Sequence, residues 1–189
     1  MMNKHGLIIS CVLSLFLSSQ VIAGDSNKAK LKKEAISIVK KFGGTLKPEL
    51  KKALKSGGPV KAIKVCSKTA PEIAQKLSSE TGWTVKRVSL KPRNHKTAMP
   101  DAWETKVLKQ FDERQAKGES ANKMAYAEIV DGRFRFMKAQ GVEAVCMNCH
   151  AGKVEPATEK ALKHYYPDDM ARGYSLGQIR GAFSLSKDL

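Results

Sequence analysis

Apolar residues recur at helical spacing through the first half of the chain, and runs rich in β-formers dominate the second half. From Asn27 to Phe42, the side chains of Leu31, Ala35, Ile38, Val39 and Phe42 fall on one face, and Gly43-Gly44 predicts the stop of that helix. Pro48 predicts the start of a short helix ending at Gly57-Gly58. Pro59 to Lys68 predicts a third, with Ala62, Ile63 and Cys66 on one apolar side, and Pro71 a fourth that runs to Gly82. Trp83 to Leu90 has strand composition, whereas Pro100 to Gln115 reads as a helix with Trp103, Val107, Leu108 and Phe111 inward. Asp131-Gly132 between two β-rich runs, Met124 to Val130 and Arg133 to Met137, marks a tight hairpin. Gln178 to Leu185 supplies a last strand, and no internal repeat or low-complexity segment interrupts the pattern. The expectation is an α+β fold, a single domain with a helical N-terminal half.

The first residues follow a different pattern. Lys4 and His5 precede a mostly apolar stretch from Leu7 to Leu17, and Val21-Ile22-Ala23 before Gly24-Asp25 reads as a small-residue cleavage site. Residues 1–23 are therefore expected to be a cleaved signal peptide, with the periplasm as destination. Ile8-Ile9-Ser10-Cys11 only faintly resembles a lipoprotein cleavage box. No later stretch approaches the ~18 to 20 apolar residues that a spanning helix needs, so no transmembrane segment is expected. What remains, about 165 residues, suits one domain with its own core.

Charge adds a second constraint. With 34 Lys and Arg against 18 Asp and Glu, the formal net charge is +16. Such a surface favours acidic partners. The lysines form no compact arm, and an exported protein seldom meets nucleic acid, which is not expected as a partner. Lys28, Lys30, Lys32, Lys33, Lys40 and Lys41 instead recur along helical segments, as a solvated face or a docking patch for an acidic partner would.

The densest chemistry lies in Cys146-Met147-Asn148-Cys149-His150. Cys-x-x-Cys-His is the arrangement that attaches haem c: two thiols about one helical turn apart add to the porphyrin vinyl groups, and the adjacent imidazole reaches the iron. A structural zinc site would want four ligands, yet outside the motif and the leader only Cys66, His95 and His164 remain, none paired at ligand spacing. A redox dithiol belongs near a βαβ pattern, which the flanks do not offer. Export and haem attachment agree, because such motifs are loaded outside the cytoplasmic membrane. Once Cys11 leaves with the leader and Cys146 and Cys149 take haem, Cys66 is left unpaired in an oxidising compartment. It is either a small buried hydrophobe or a thiolate on the far side of the iron, and composition does not choose.

Several blocks in order carry a resemblance. Ala62-Ile63-Lys64-Val65-Cys66 with Ala70-Pro71-Glu72-Ile73-Ala74, Arg87-Val88-Ser89-Leu90-Lys91-Pro92-Arg93-Asn94, and Pro100-Asp101-Ala102-Trp103-Glu104 come first. Cys146 to His150, Tyr166-Pro167-Asp168 with Ala171 and Gly173-Tyr174, and Gly177 to Ala182 follow. Together they resemble a family of c-type haem proteins with a PAS-like fold, which occurs as exported domains and as the extracytoplasmic part of bacterial sensors. The resemblance spans roughly residues 59–184 and implies a PAS-like antiparallel sheet over 59–189, preceded by a helical segment over 24–58. It also implies His/Cys ligation of the iron, with Cys66 opposite His150. Competing sixth ligands are Met99, Met137, Met147, Met170, His95 and His164. Arg87, Arg93 and Arg180 are expected near the haem propionates, since guanidinium forks match carboxylates. One block departs from the family pattern: Arg93-Asn94-His95-Lys96-Thr97 stands where Arg-Asn-Pro-x-Asn is expected.

The expectation from sequence is thus a periplasmic monohaem c-type cytochrome, not an enzyme. Thiolate ligation favours ferric iron and suits a redox or small-gas sensor, with CO or NO on the reduced iron and a separate signalling partner. The alternative is a soluble electron-transfer cytochrome that docks an acidic redox partner.

Overall fold

The computed structural model describes residues 17–189, so most of the expected leader, 1–16 with Cys11, lies outside the described residues. The chain runs through α1 (Leu17–Thr81), β1 (Thr84–Val88), α2 (His95–Ala98), α3 (Ala102–Ala116), β2 (Ala125–Val130), β3 (Arg133–Gly141), α4 (Met147–His150), α5 (Pro156–Tyr165) and β4 (Ile179–Asp188). The strands form one antiparallel sheet in the order β1-β4-β3-β2. The α+β class, the helical N-terminal half and the single domain are those expected. Among the described residues no helix is long and apolar enough to cross a membrane.

The helical half is less divided than its glycines and prolines suggest. α1 has one break, at Gly57 and Gly58, where Gly58 takes φ 62°, a left-handed value that glycine adopts without a Cβ penalty. The expected stop at Gly43-Gly44 is absent, and Pro48 and Pro71 lie inside the two arms. Each glycine costs a helix about 1 kcal/mol and an interior proline about 3. Burial on both sides of these residues outweighs that cost. Leu31, Ala35, Ile38, Phe42 and Leu46 before and around Gly43, and Ala70, Ile73 and Leu77 around Pro71, share one core with Trp83, Val85, Phe134, Phe136 and Leu185 of the sheet. The 24–58 segment is thereby built into the main core.

Side chains alternate across the sheet. Phe134, Phe136 and Leu185 face α1, whereas Met137, Ala139 and Ala182 face Val107, Leu108 and Phe111 of α3. Met137 is fully buried there, which makes it core packing. The hairpin turns as expected through Asp131 and Gly132, both at positive φ. β3 and β4 extend further than the sequence suggests, and α5 is a helix the pattern did not announce, with Pro156 at its first turn and Ala161 and Leu162 buried. Near the start of β4, Gly181 (φ 153°) crosses β1 so closely that a Cβ would lie 2.3 Å from the Val88 carbonyl oxygen.

Candidate functional site

The Cys-x-x-Cys-His motif occupies the turn that leaves β3. Val142 is tied in both directions to the two residues that lead into β4, accepting from Gly177 N–H and donating to Gln178 O, each at 2.9 Å. A single 3-10 turn, Ala144–Cys146, then leads into α4, which carries Cys149 and His150. Two small apolar clusters hold this segment. Cys146 and Met147 pack against Val142, Ala171 and Tyr174, while Cys149 packs against Ile63 of α1, Ala161 and Leu162 of α5, and Tyr166 just after it.

His150 is oriented from one side. Its Nδ1 lies 2.8 Å from the Ala171 carbonyl oxygen, an acceptor only, so Nδ1 carries the proton and Nε2 keeps its lone pair. Its own carbonyl accepts from Tyr174 N–H at 3.0 Å. Burial, then the charges of Arg180 and Arg93, push the imidazole down to about 2, so the ring is neutral, the form that binds a metal. Arg180 Nε comes within 3.2 Å of Nδ1, but in this tautomer it contributes charge and no hydrogen bond. Arg93 Nη1 faces Nε2 at 3.4 Å.

Cys66 sits half-buried on the second arm of α1, within electrostatic reach of the motif. Burial pushes its thiol up, Arg87 and Arg93 pull it down, and Cys146 pushes it up again. Cys149 is likewise raised by burial and lowered by Arg93, with Cys66 adding to the rise. All of these cysteines are free thiols. The phenol of Tyr166 beside them is pushed up to about 12, first by burial and then by Cys66, and stays neutral.

The arginines divide into two kinds. Arg93 is engaged on all sides: Nε donates to Asp169 Oδ1 at 3.0 Å, and Nη2 donates to Cys149 O at 2.5 Å and Ala171 O at 3.1 Å. Arg87 and Arg180 meet no carboxylate at ion-pair distance among the described residues; they lie over the rings of Phe42 and Tyr174, at 5.4 and 5.8 Å from the centroids. Burial lowers both, Arg180 to about 10. Two desolvated guanidinium groups without an anion, beside a neutral imidazole and two thiols at helical spacing, are a donor set that fits an iron porphyrin with its propionates. Among the described residues no group of three or more His, Cys, Asp or Glu converges as a bare-ion cage would.

Comparison with known proteins places this arrangement in a family. A family model described as Tll0287-like matches residues 19–187. The chain belongs to the Tll0287-like family. Among solved structures, the crystal structure of the cyanobacterial heme-protein Tll0287 is similar in fold, with 21% sequence identity and a TM-score of 0.66 over 84% of this chain and 95% of that one. A search of curated proteins finds no match.

In this Tll0287-like chain the residues singled out from sequence, Cys66, Arg87, Arg93, Cys146, Cys149, His150 and Arg180, meet in one region where α1, the sheet and the α4–β4 segment converge. The other thioethers and imidazoles stand apart from it or are packed otherwise. Met99 and Met170 are exposed, Met147 lies in the motif's own turn, and His164 is exposed on α5 against Tyr165. His95 lies in α2 with a buried Nε2 that has no partner. Two contributors had no signal of their own: the Ala171 carbonyl, a backbone group, and Asp169, whose carboxylate is buried against Arg93 and Arg172.

Proposed function

We propose that this chain is a periplasmic monohaem c-type cytochrome, with haem attached at Cys146 and Cys149 and with His150 and Cys66 as axial ligands, acting as a redox or small-gas sensor. The observation that carries the reading is the one around His150. Its Nδ1–H is committed to Ala171 O, its Nε2 keeps a lone pair that only Arg93 Nη1 faces among the described residues, at 3.4 Å, and the unpaired Arg180 lies against the same ring. A haem there would supply an iron couple and carboxylates for Arg87 and Arg180. The chain's own residues do the rest: His150 donates a neutral nitrogen, Ala171 fixes its ring, and the apolar walls from Ile63 and Leu162 exclude water. Cys66, as a thiolate, would favour the ferric state. It would hold reduced iron less firmly than ferric iron, the property that a sensor of CO or NO would use.

Acid-acetone extraction of protein matured in the periplasm tests the attachment. Colour is expected to stay with the polypeptide, and Cys146→Ala with Cys149→Ala is expected to release it; haem extracted from the intact protein would overturn the assignment. An electron-transfer role is the second reading, favoured by the outer face of α1. There Lys28, Lys30, Lys33, Lys40, Lys51 and Lys55 are exposed and meet no carboxylate among the described residues, as docking to an acidic redox partner would require. CO binding to the reduced protein separates the two: an adduct supports the sensor, and its absence with unchanged ligation supports the carrier.

A further inference from the structure

Both polar groups of Ala171 are held by a single ion pair. Asp169 Oδ1 accepts the Ala171 N–H at 2.9 Å and the Arg93 Nε–H at 3.0 Å. The other end of the same guanidinium donates to Ala171 O, the acceptor of His150 Nδ1–H, and to the carbonyl of Cys149. Asp169 is itself anchored: its N–H donates to Tyr166 O at 3.1 Å, and its Oδ2 accepts from Arg172 Nε at 2.9 Å. The Arg93 and Asp169 side chains are only 11% and 7% exposed. Water therefore competes little for these bonds, which a charged donor and acceptor make stronger than neutral ones.

We infer that Asp169, acting through Arg93 and the Ala171 backbone, is the positioning residue that sets the plane of the His150 ring and the strength of its Nδ1–H bond. This inference rests on the reading of His150 as iron ligand. A metal-bound imidazole is oriented by whatever accepts its second N–H. Here that acceptor is a main-chain carbonyl whose place depends on one carboxylate and one planar fork. The fork matters as much as the charge, because a lysine ammonium cannot span the carboxylate and both carbonyls at these distances. Arg172 bonds Asp169 only at Oδ2 and donates to neither Ala171 O nor His150, so its loss removes one anchor of the carboxylate and leaves the Oδ1 bonds to Ala171 and Arg93.

Proton NMR of the ferric holoprotein reads the ring plane directly, since the order and spread of the haem-methyl resonances follow it. Asp169→Glu keeps the charge but lengthens the arm, and Arg93→Lys keeps the charge but loses the fork. Both are expected to shift the methyl pattern, and Arg172→Gln, which removes one anchor of Asp169 but none of its bonds to Ala171 and Arg93, is expected to shift it much less. A wild-type pattern in both folded variants, or a change in Arg172→Gln as large as in Asp169→Glu, would overturn the inference alone. Absence of covalent haem from the wild-type protein would overturn the functional reading, and this inference with it.

Discussion

Glu104→Ala is expected to be among the most damaging single changes in this fold, although it touches none of the residues around His150. The carboxylate is completely buried on the α3 face of the sheet. It accepts from the Asp101 N–H at 2.9 Å, which closes the capping box at the start of α3, from Ser184 Oγ at 2.6 Å, and from Lys86 Nζ at 2.9 and 3.0 Å. Alanine leaves three donors behind. Lys86 is 37% exposed and can turn to water, so its charge is rehydrated and the loss falls below that of a fully buried ion pair. The Asp101 N–H and the buried Ser184 hydroxyl have less choice, and each orphaned donor costs about 1–3 kcal/mol. The expected total is about 3–4 kcal/mol, a drop of roughly 6–16 °C in Tm for a domain of this size. Glu104→Gln keeps one oxygen to accept the Asp101 N–H and turns its NH2 toward the Ser184 hydroxyl, which can rotate to accept, so it is expected to lose roughly half as much. Urea unfolding followed by circular dichroism measures both, and the visible spectrum of the folded variants should match wild type. A loss below about 1 kcal/mol for alanine, or a larger loss for glutamine than for alanine, would refute this account of the buried carboxylate.

Three further outcomes follow from particular geometries. Cys66→Met should raise the reduction potential, because a neutral thioether supports ferric iron less than a thiolate does; spectroelectrochemistry showing an unchanged or lower value would contradict the ligand assignment. Gly181→Ala places a methyl 2.3 Å from Val88 O at φ 153° and should lower stability by about 2–4 kcal/mol or prevent soluble accumulation, whereas a wild-type urea midpoint would contradict the close β1–β4 crossing. Burial raises the Asp101 carboxyl, but the Glu104 N–H and Arg135 together bring it below its ordinary 3.8, so its contribution is present above that pH and lost as pH falls through the lower folded value. Asp101→Asn should therefore flatten the acid limb of the stability curve below about pH 4, and identical limbs would contradict that pairing.

How much of this was legible in the sequence depended on whether the signal was local. Asp131-Gly132 predicts its hairpin because the turn chemistry lies in those two residues, and the apolar side of Pro100 to Gln115 predicts α3 for the same reason. Gly43-Gly44, Pro48 and Pro71 mislead because their local cost is overruled by Phe42, Leu46, Ile73 and Leu77 packing on strands distant in the chain. The Cys-x-x-Cys-His motif is contiguous and hence readable. Cys66 could be singled out only by counting thiols and by resemblance, since its approach to Cys146 and Cys149 depends on how α1 crosses the sheet. Ala171 escapes any reading of side chains, because its carbonyl does the work, and Asp169 looks like one more acidic residue until Arg93 is seen to close on it.

The central claim is an iron held between His150 and Cys66, and EPR of the ferric holoprotein tests it most directly when wild type and Cys66→Ala are compared. The account predicts a low-spin thiolate signature in wild type that the variant loses, with high-spin or water-ligated iron in its place while haem stays covalently bound. A folded Cys66→Ala protein with the wild-type spectrum would contradict it.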